Sequence, residues 1–368
     1  MPDLSHQFLC ACLGCDIAGA RELLQHPLWS WEQLFEEANR EMVLPVLSTA
    51  MPGLELEAFT PPDVLDFLSA IESLNLERNQ AILSELKLAV RLLNEIGIEP
   101  VLLKGAGYIA TGVYQNPAAR YLLDLDLLVP EEQLQHAAET LMQNGFLRDE
   151  TDQFGRFRHH HPQLRRPGSI AIELHHRLGM GPCASLLPAA EVIDRSVPHD
   201  LNPLRVRVPC PEHLATHLIL HSQLQHSYNE RIWPPLRGMY DLVLLQLRFA
   251  GSIDWVHIAN RFRRGRRYGV FALHLLDVRD ALGLELPIPI RLSALTTLRR
   301  HRRQLLRRVP ALRYLDPIYM FATVCFRRLR LLRNVLATRG GLRHFLGQLL
   351  APGVYQRFLT DLLEGRGR

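Results

Sequence analysis

The sequence predicts an α+β fold: a small mixed sheet with helices, flanked by an N-terminal and a C-terminal helical region. Three observations carry this. Residues 101–129 read VLLKGAGYIATGVYQNPAARYLLDLDLLV, an apolar run that stops at Lys104-Gly105 and, at the far end, the alternation Asp124-Leu125-Asp126-Leu127. Apolar residues recur at helical spacing through residues 1–95, and the same spacing returns from Pro211 onward. A period of two puts alternate side chains on opposite faces of a strand, whereas a period near 3.6 builds one apolar stripe on a helix.

Composition bounds the class. With 368 residues, 47% hydrophobic and 22% charged, the chain is large enough for two or three cores. No stretch approaches the roughly 18 to 20 uninterrupted apolar residues of a membrane span, and the N-terminus lacks the basic-then-apolar pattern of a signal peptide. A cytoplasmic location is the resulting expectation. The six cysteines do not form a disulfide framework in a chain of this length. Cys10, Cys12 and Cys15 have a spacing open to a metal, but they lie in an apolar helical pattern where free cysteine packs as a small hydrophobe.

Taken in order, Asp3 to Ala20, Pro27 to Asn39 and Pro61 to Gly97 are predicted helices, interrupted by Pro52-Gly53 and Pro61-Pro62. The last delivers the chain to a first strand, Ile98 to Leu103. Gly105 then opens a helix over Ala106 to Tyr114, whose first amides and dipole favour a phosphate. After the Asp124 strand, Glu131 to Gly145 is a helix with Leu134, Ala137, Ala138 and Leu141 on one stripe, and Phe146 to Arg148 and Phe157 to Leu164 supply further strand material. Ser169 to His176 is a strand with Glu173 and His175 on one face, preceded by the turn Arg166-Pro167-Gly168 and by His159 to Leu164 as a hairpin partner. Beyond Pro211 lie the helix carrying His213, His217 and His221, a helix start at Arg237 to Leu242 containing Asp241, and helices over 254–264 and 271–284, closed by Pro287-Ile288-Pro289. The expected organisation is a helical region 1–95, a catalytic core 96–210, a helical domain 211–290 and a basic helical region 291–368.

The expensive feature is the acid pair. Asp124 and Asp126 share a strand face, where like charges raise each other's pKa and a divalent cation removes the conflict. Mg²⁺ suits such a place, because it takes one or two carboxylates plus substrate phosphates rather than a full protein cage. The basic residues add a second signal. Of 42, only Lys87 and Lys104 are lysine. A compact ammonium at the Lys104 turn can meet a phosphate oxygen as a point charge; a solvated lysine at a turn is the plain alternative.

A strand ending in a glycine turn, a helix, then a strand bearing Asp-x-Asp resembles the nucleotidyltransferase fold of the DNA polymerase beta superfamily. More narrowly, Leu103-Lys104-Gly105, Arg120 and Asp124-Leu125-Asp126-Leu127-Leu128-Val129 resemble a bacterial family of uncharacterised nucleotidyltransferases, with the matching core near Pro100 to His176. The resemblance implies a small mixed nucleotidyltransferase-type sheet, metal ligation and catalysis by Asp124, Asp126 and Glu173, and nucleotide contact through Lys104, Gly105, Arg120, His175 and Asp241. It implies Mg²⁺ (or Mn²⁺) as cofactor and an NTP as substrate. The wider superfamily has Gly-Gly or Gly-Ser at the turn where this chain has Gly105-Ala106, which removes a hydroxyl and leaves Lys104 to substitute for it.

Several readings stay open at this level. Arg120 reaches a phosphate, an aspartate or a structural salt bridge; Asp241 faces the nucleotide or pairs with an arginine. His159, His161 and His175 can converge on a strand face as a zinc site or as substrate contacts. From Arg261 to Arg368 there are 23 arginines against 6 acids, a net +17 that leaves the first 260 residues at −13. That basic end, with Arg299 to Arg303 and Phe326 to Arg330, suits an anionic membrane surface, nucleic acid or a solvated helix face. The function expected is Mg-dependent transfer of an NMP from an NTP to an unidentified hydroxyl-bearing acceptor, a small molecule, glycan or peptide. The alternatives are kinase-like phosphoryl transfer and a non-catalytic module binding a nucleotide or polymer.

Overall fold

The computed structural model describes residues 4–149, 159–225, 232, 234–309 and 311–312. The chain divides into a large unit, Pro2–Asn229 with Pro234–Leu292, and a smaller one, Met1 with Glu230–Trp233 and Ser293–Arg368.

The large unit begins with α1 (Leu4–Leu13), α2 (Ile17–Leu24), α3 (Trp31–Arg40), α4 (Leu44–Ala50) and the long α5 (Pro62–Glu95). The expected helix over 3–20 is two helices. Cys15 takes a left-handed φ of 61°, and Asp16 then caps α2 by accepting from the Gly19 amide at 3.0 Å. Pro62 opens α5, where its missing N–H removes no helical hydrogen bond. With 34 residues, α5 is about 50 Å long at about 1.5 Å per residue. It spans two cores: Val64 and Leu68 join one apolar cluster, while Ile82, Leu86, Ala89, Val90 and Leu93 join the other.

The sheet follows: β1 (Val101–Leu102), α6 (Lys104–Ala110), β2 (Asp124–Leu128), α7 (Leu134–Gln143), β3 (Leu147–Arg148), β4 (Leu164–Arg165), β5 (Ala171–His175), α8 (Pro182–Leu186), α9 (Ala189–Asp194), β6 (Val197–Leu201) and β7 (Leu204–Val208). Among the described residues it has seven strands in the order β3-β4-β5-β2-β1-β7-β6. The pairings β2 with β5 and β1 with β7 are parallel, the others antiparallel. The mixed sheet is therefore as expected, with one addition. The β6–β7 hairpin extends the sheet beyond β1, and its signal in the sequence was the alternation Leu204-Arg205-Val206-Arg207-Val208, in which Val206 and Val208 are buried.

Alternation sorts the sheet residues. Leu125 and Leu127 of β2 and Ile172 and Leu174 of β5 face the second half of α5 and α7 (Ala137, Ala138, Leu141), each buried leucine or isoleucine contributing about 1.5–3 kcal/mol. The other face of the same two strands carries Asp124, Asp126 and Leu128, and Ala171, Glu173 and His175. Leu128 on this face belongs to the cluster built by α1, α4 and the C-terminal helices α10 (Pro211–Leu220), α11 (Leu236–Arg248), α12 (Trp255–Arg264) and α13 (Tyr268–Leu282). The acids are thus set into the side of the sheet that a helical layer covers.

The smaller unit contributes α14 (Ala294–Arg308), capped by Ser293, which accepts from the Thr296 amide. Arg307 donates to the Ile232 carbonyl at 3.0 and 2.8 Å. The basic segment Phe326 to Arg330 lies outside the described residues. No helix among the described residues is long and apolar enough to cross a membrane.

Candidate active site

The parallel register of β2 and β5 sets Asp124 opposite Ala171, Asp126 opposite Glu173 and Leu128 opposite His175. Carboxylates from two strands therefore meet on one face. From the neighbouring strand β1 the chain turns at Lys104, which adopts φ 44°, a sparsely populated region for a residue with a side chain. The helix expected from Ala106 to Tyr114 starts at Lys104 and ends at Ala110, so only two turns are built and the dipole is a minor term there. Close packing of α6 demands glycine at 107, where a Cβ would meet the Leu102 carbonyl oxygen at 2.7 Å.

This backbone brings five side chains together. Lys104 Nζ donates to Asp126 Oδ1 at 2.6 Å and stands 4.0 Å from Glu173 Oε2. His175 Nε2 lies 2.7 Å from the same Asp126 oxygen and 3.3 Å from Glu173 Oε2. Gln163 Nε2 donates to Glu173 Oε1 at 2.8 Å. Asp126 and His175 are each 1% exposed. Asp124 is half-buried, two residues before Asp126 on the same strand face.

Electrostatics separates the acids. Burial pushes the Asp124 carboxyl up to about 7, aided by the charge of Asp126. Burial acts the same way on Asp126, but Lys104 and His175 outweigh it and hold that group well below the usual carboxylate range. Glu173 is also burdened by burial, yet the His175 hydrogen bond and Lys104 bring it down to about 2. Burial disfavours the charged His175, and its bonds to Asp126 and Glu173 reverse that, raising it. Three acids thus face one lysine and one histidine, and the excess shows at Asp124, which holds its proton up to about pH 7.

Among the described residues, Asp126, Glu173 and His175 form the one group of three or more candidate metal ligands, their donor atoms all within 4.8 Å of one another. Oxygen donors joined by one imidazole, next to an acid at about 7, are an arrangement that a divalent cation would relieve. Cys10, Cys12 and Cys15 form no such group; Cys12 is packed into the apolar core of α1.

The histidine run differs from its expected geometry. Strand alternation predicts His159, His161 and His175 on one face, but the rings of His159 and His160 pack against His175, at 5.2 and 5.3 Å between centroids. The cause is that residues 159–161 make one isolated bridge, His160 to His175, instead of a regular ladder. His161 Nδ1 faces the Pro162 carbonyl at 2.7 Å. Of the three helical histidines, His217 and His221 pack edge to face at 5.9 Å between centroids, while His213 lies 3.1 Å from Glu191 of α9; burial, with the charges of Lys104 and His175, pushes His217 down to about 3.

Arg120 and Asp241 meet each other. Arg120 Nη2 donates to Asp241 Oδ2 at 3.1 Å and Tyr114 OH donates to Asp241 Oδ1 at 2.6 Å, all three residues being buried. The Arg120 carbonyl is held in turn by Asn75 Nδ2 at 3.3 Å and Asn79 Nδ2 at 2.7 Å. These asparagines were not among the expected site residues. Their signal was two polar residues, four apart, on the apolar stripe of α5.

Residues 29–276 match the family described as Uncharacterised nucleotidyltransferase, about two thirds of the chain. The chain belongs to this family. No curated protein and no solved structure matches it. The matched span of this nucleotidyltransferase family contains Lys104, Asp124, Asp126, Glu173, His175 and the Arg120–Asp241 pair, and it ends before α14.

Proposed function

We propose that this family member transfers an NMP from an NTP to a hydroxyl-bearing acceptor, a small molecule, glycan or peptide, with Asp124, Asp126 and Glu173 holding Mg²⁺ or Mn²⁺. The observation that carries the reading is the β2–β5 register, which sets Asp126 beside Glu173, with Asp124 on the same face and Lys104 among them. When bound, such an ion supplies charge neutralisation of the triphosphate and of the oxygens that attack and leave the α-phosphorus. Lys104 and the turn at Gly105 meet the phosphates, the ammonium exchanging Asp126 for a phosphate oxygen. The acceptor oxygen bonds to the α-phosphorus, the bond to the bridging α–β oxygen breaks, pyrophosphate leaves, and Glu173 receives the hydroxyl proton. Positioning and charge stabilisation supply nearly all the catalysis in such a transfer. The family match ends at residue 276, ahead of the basic end beyond residue 290, and we assign that end to holding an anionic partner.

The test is to incubate the protein, and its Asp124→Asn/Asp126→Asn variant, with Mg²⁺ and each NTP labelled separately at the α and γ phosphates, in lysate of the source cell. Wild-type-dependent incorporation of the α label establishes nucleotidyl transfer and identifies the base. Incorporation of the γ label alone overturns it in favour of phosphoryl transfer. NTP binding with neither label moved makes the protein a binding module.

A further inference from the structure

The acids alone describe an oxygen site for Mg²⁺; the structure adds a nitrogen. His175 is 1% exposed, and its Nε2 is the ring nitrogen aimed at both carboxylates, 2.7 Å from Asp126 Oδ1 and 3.3 Å from Glu173 Oε2. Adjacent ligands about 2.1 Å from an octahedral ion stand about 3.0 Å apart, and those two separations bracket that value. The imidazole has little freedom to leave. Its strand is paired on both sides, with β2 and with β4, and the rings of His159 and His160 pack against it. Lys104, by contrast, holds Asp126 through a long flexible stem and can withdraw towards a phosphate.

We infer that His175 is a metal ligand through Nε2, the ion displacing to solvent the proton that this nitrogen shares with the carboxylates, so that one ion is held by Asp126, Glu173 and His175 and the site selects Mn²⁺ over Mg²⁺. This rests on the metal-dependent reading above and changes the role of His175 from nucleotide contact to ligand. The physical reason for the selection is ligand type. Mg²⁺ is a hard cation that takes oxygen and keeps its waters, whereas Mn²⁺ takes carboxylate oxygen as Mg²⁺ does and, as a first-row transition ion, binds a mixed nitrogen and oxygen set more tightly, an affinity that rises further along the row. Asp124, which is not in the three-ligand group, is left to face a second ion or the one that arrives with the nucleotide.

The experiment is pulsed electron paramagnetic resonance of Mn²⁺ bound to the full chain without nucleotide, with Mn²⁺ and Mg²⁺ affinities measured in parallel by titration. The expected result is a directly bonded ¹⁴N coupling that changes to the ¹⁵N pattern on ¹⁵N-histidine labelling, and a preference for Mn²⁺ of roughly tenfold or more. His175→Gln, which offers an amide oxygen near the Nε2 position, should still bind but lose the coupling and most of the preference. Mn²⁺ binding that Asp126→Asn abolishes, but that shows no nitrogen coupling in the wild type, overturns this inference alone and leaves His175 as a hydrogen-bond donor. Absence of Mn²⁺ binding to the wild type overturns both this inference and the metal site proposed for the reaction.

Discussion

Two buried charge clusters in this molecule, one around Asp241 and one around Asp126, are built to opposite ends. Around Asp241 every carboxylate oxygen has a donor: Tyr114 on one, Arg120 on the other. One acid meets one base and one hydroxyl, and the Arg120 backbone is tied to α5 by Asn75 and Asn79. Around Asp126 the acids converge faster than the bases. Lys104 and His175 both address a single Asp126 oxygen, and Asp124 is pushed up to about 7. A closed cluster holds shape, because breaking it strands a buried charge. An open one stores an unmet demand for positive charge, which is where a cation and a phosphate are expected to enter.

Four outcomes would break or sharpen that contrast. The largest effect is expected from Asp126→Asn, which should lower nucleotidyl transfer by about 10³-fold or more while the folded protein persists; α-label incorporation and circular dichroism measure the two. Retained transfer would remove Asp126 from the catalytic set. Next, Arg120→Met should destabilise the fold by about 3–5 kcal/mol, because Asp241 is left buried without its counter-ion. Urea unfolding measures this, and the KM for NTP should change little; a raised KM with unchanged stability would move the pair from scaffold to nucleotide contact. Asn79→Ala removes donors to the Pro117 and Arg120 carbonyls, both made at 2.7 Å, and should cost about 1–3 kcal/mol in the same unfolding assay.

The smallest effect is in pH. Asp124 rises from 3.8 to about 7, so the folded state keeps a proton that the unfolded chain has lost. Its contribution to metal-free stability is fully present below 3.8 and is lost as pH rises through about 7. Glu173, lowered from 4.5 to about 2, has the opposite sign: its contribution is present above 4.5 and lost as pH falls through about 2. Above about pH 7, where Glu173 is already ionised, the Asp124 carboxylate becomes available to a cation. Saturating Mn²⁺ should therefore raise Tm by roughly 2–4 °C more at about pH 8 than at about pH 6. Equal shifts at both pH values would separate Asp124 from the cation.

Much of this was legible in the residues themselves. The strict alternation of Asp124 to Leu127 and of Ile172 to His175 states which side chains share a face, and the single lysine in an otherwise arginine-bearing region marks the turn before the acids. Helix order, the α+β class and the resemblance to the family that the chain matches follow from local periodicity and motif order. Periodicity reports a face, however, and not what lies across from it. The partners of Asp126 and Asp241 are 49 and 127 residues away in the chain for His175 and Tyr114. The first pairing exists because β2 and β5 align in one particular register, and the second because α11 packs into the same apolar cluster as Tyr114. The departure of residues 159–161 from strand geometry, which puts His160 and not His161 on His175, has the same origin: a single bridge to β5 overrode the local pattern. The sequence by itself determined which chemical groups were brought to one sheet face; tertiary packing decided which of them neutralise each other and which remain open, since burial and charge pairing are properties of the assembled surroundings and not of the residue.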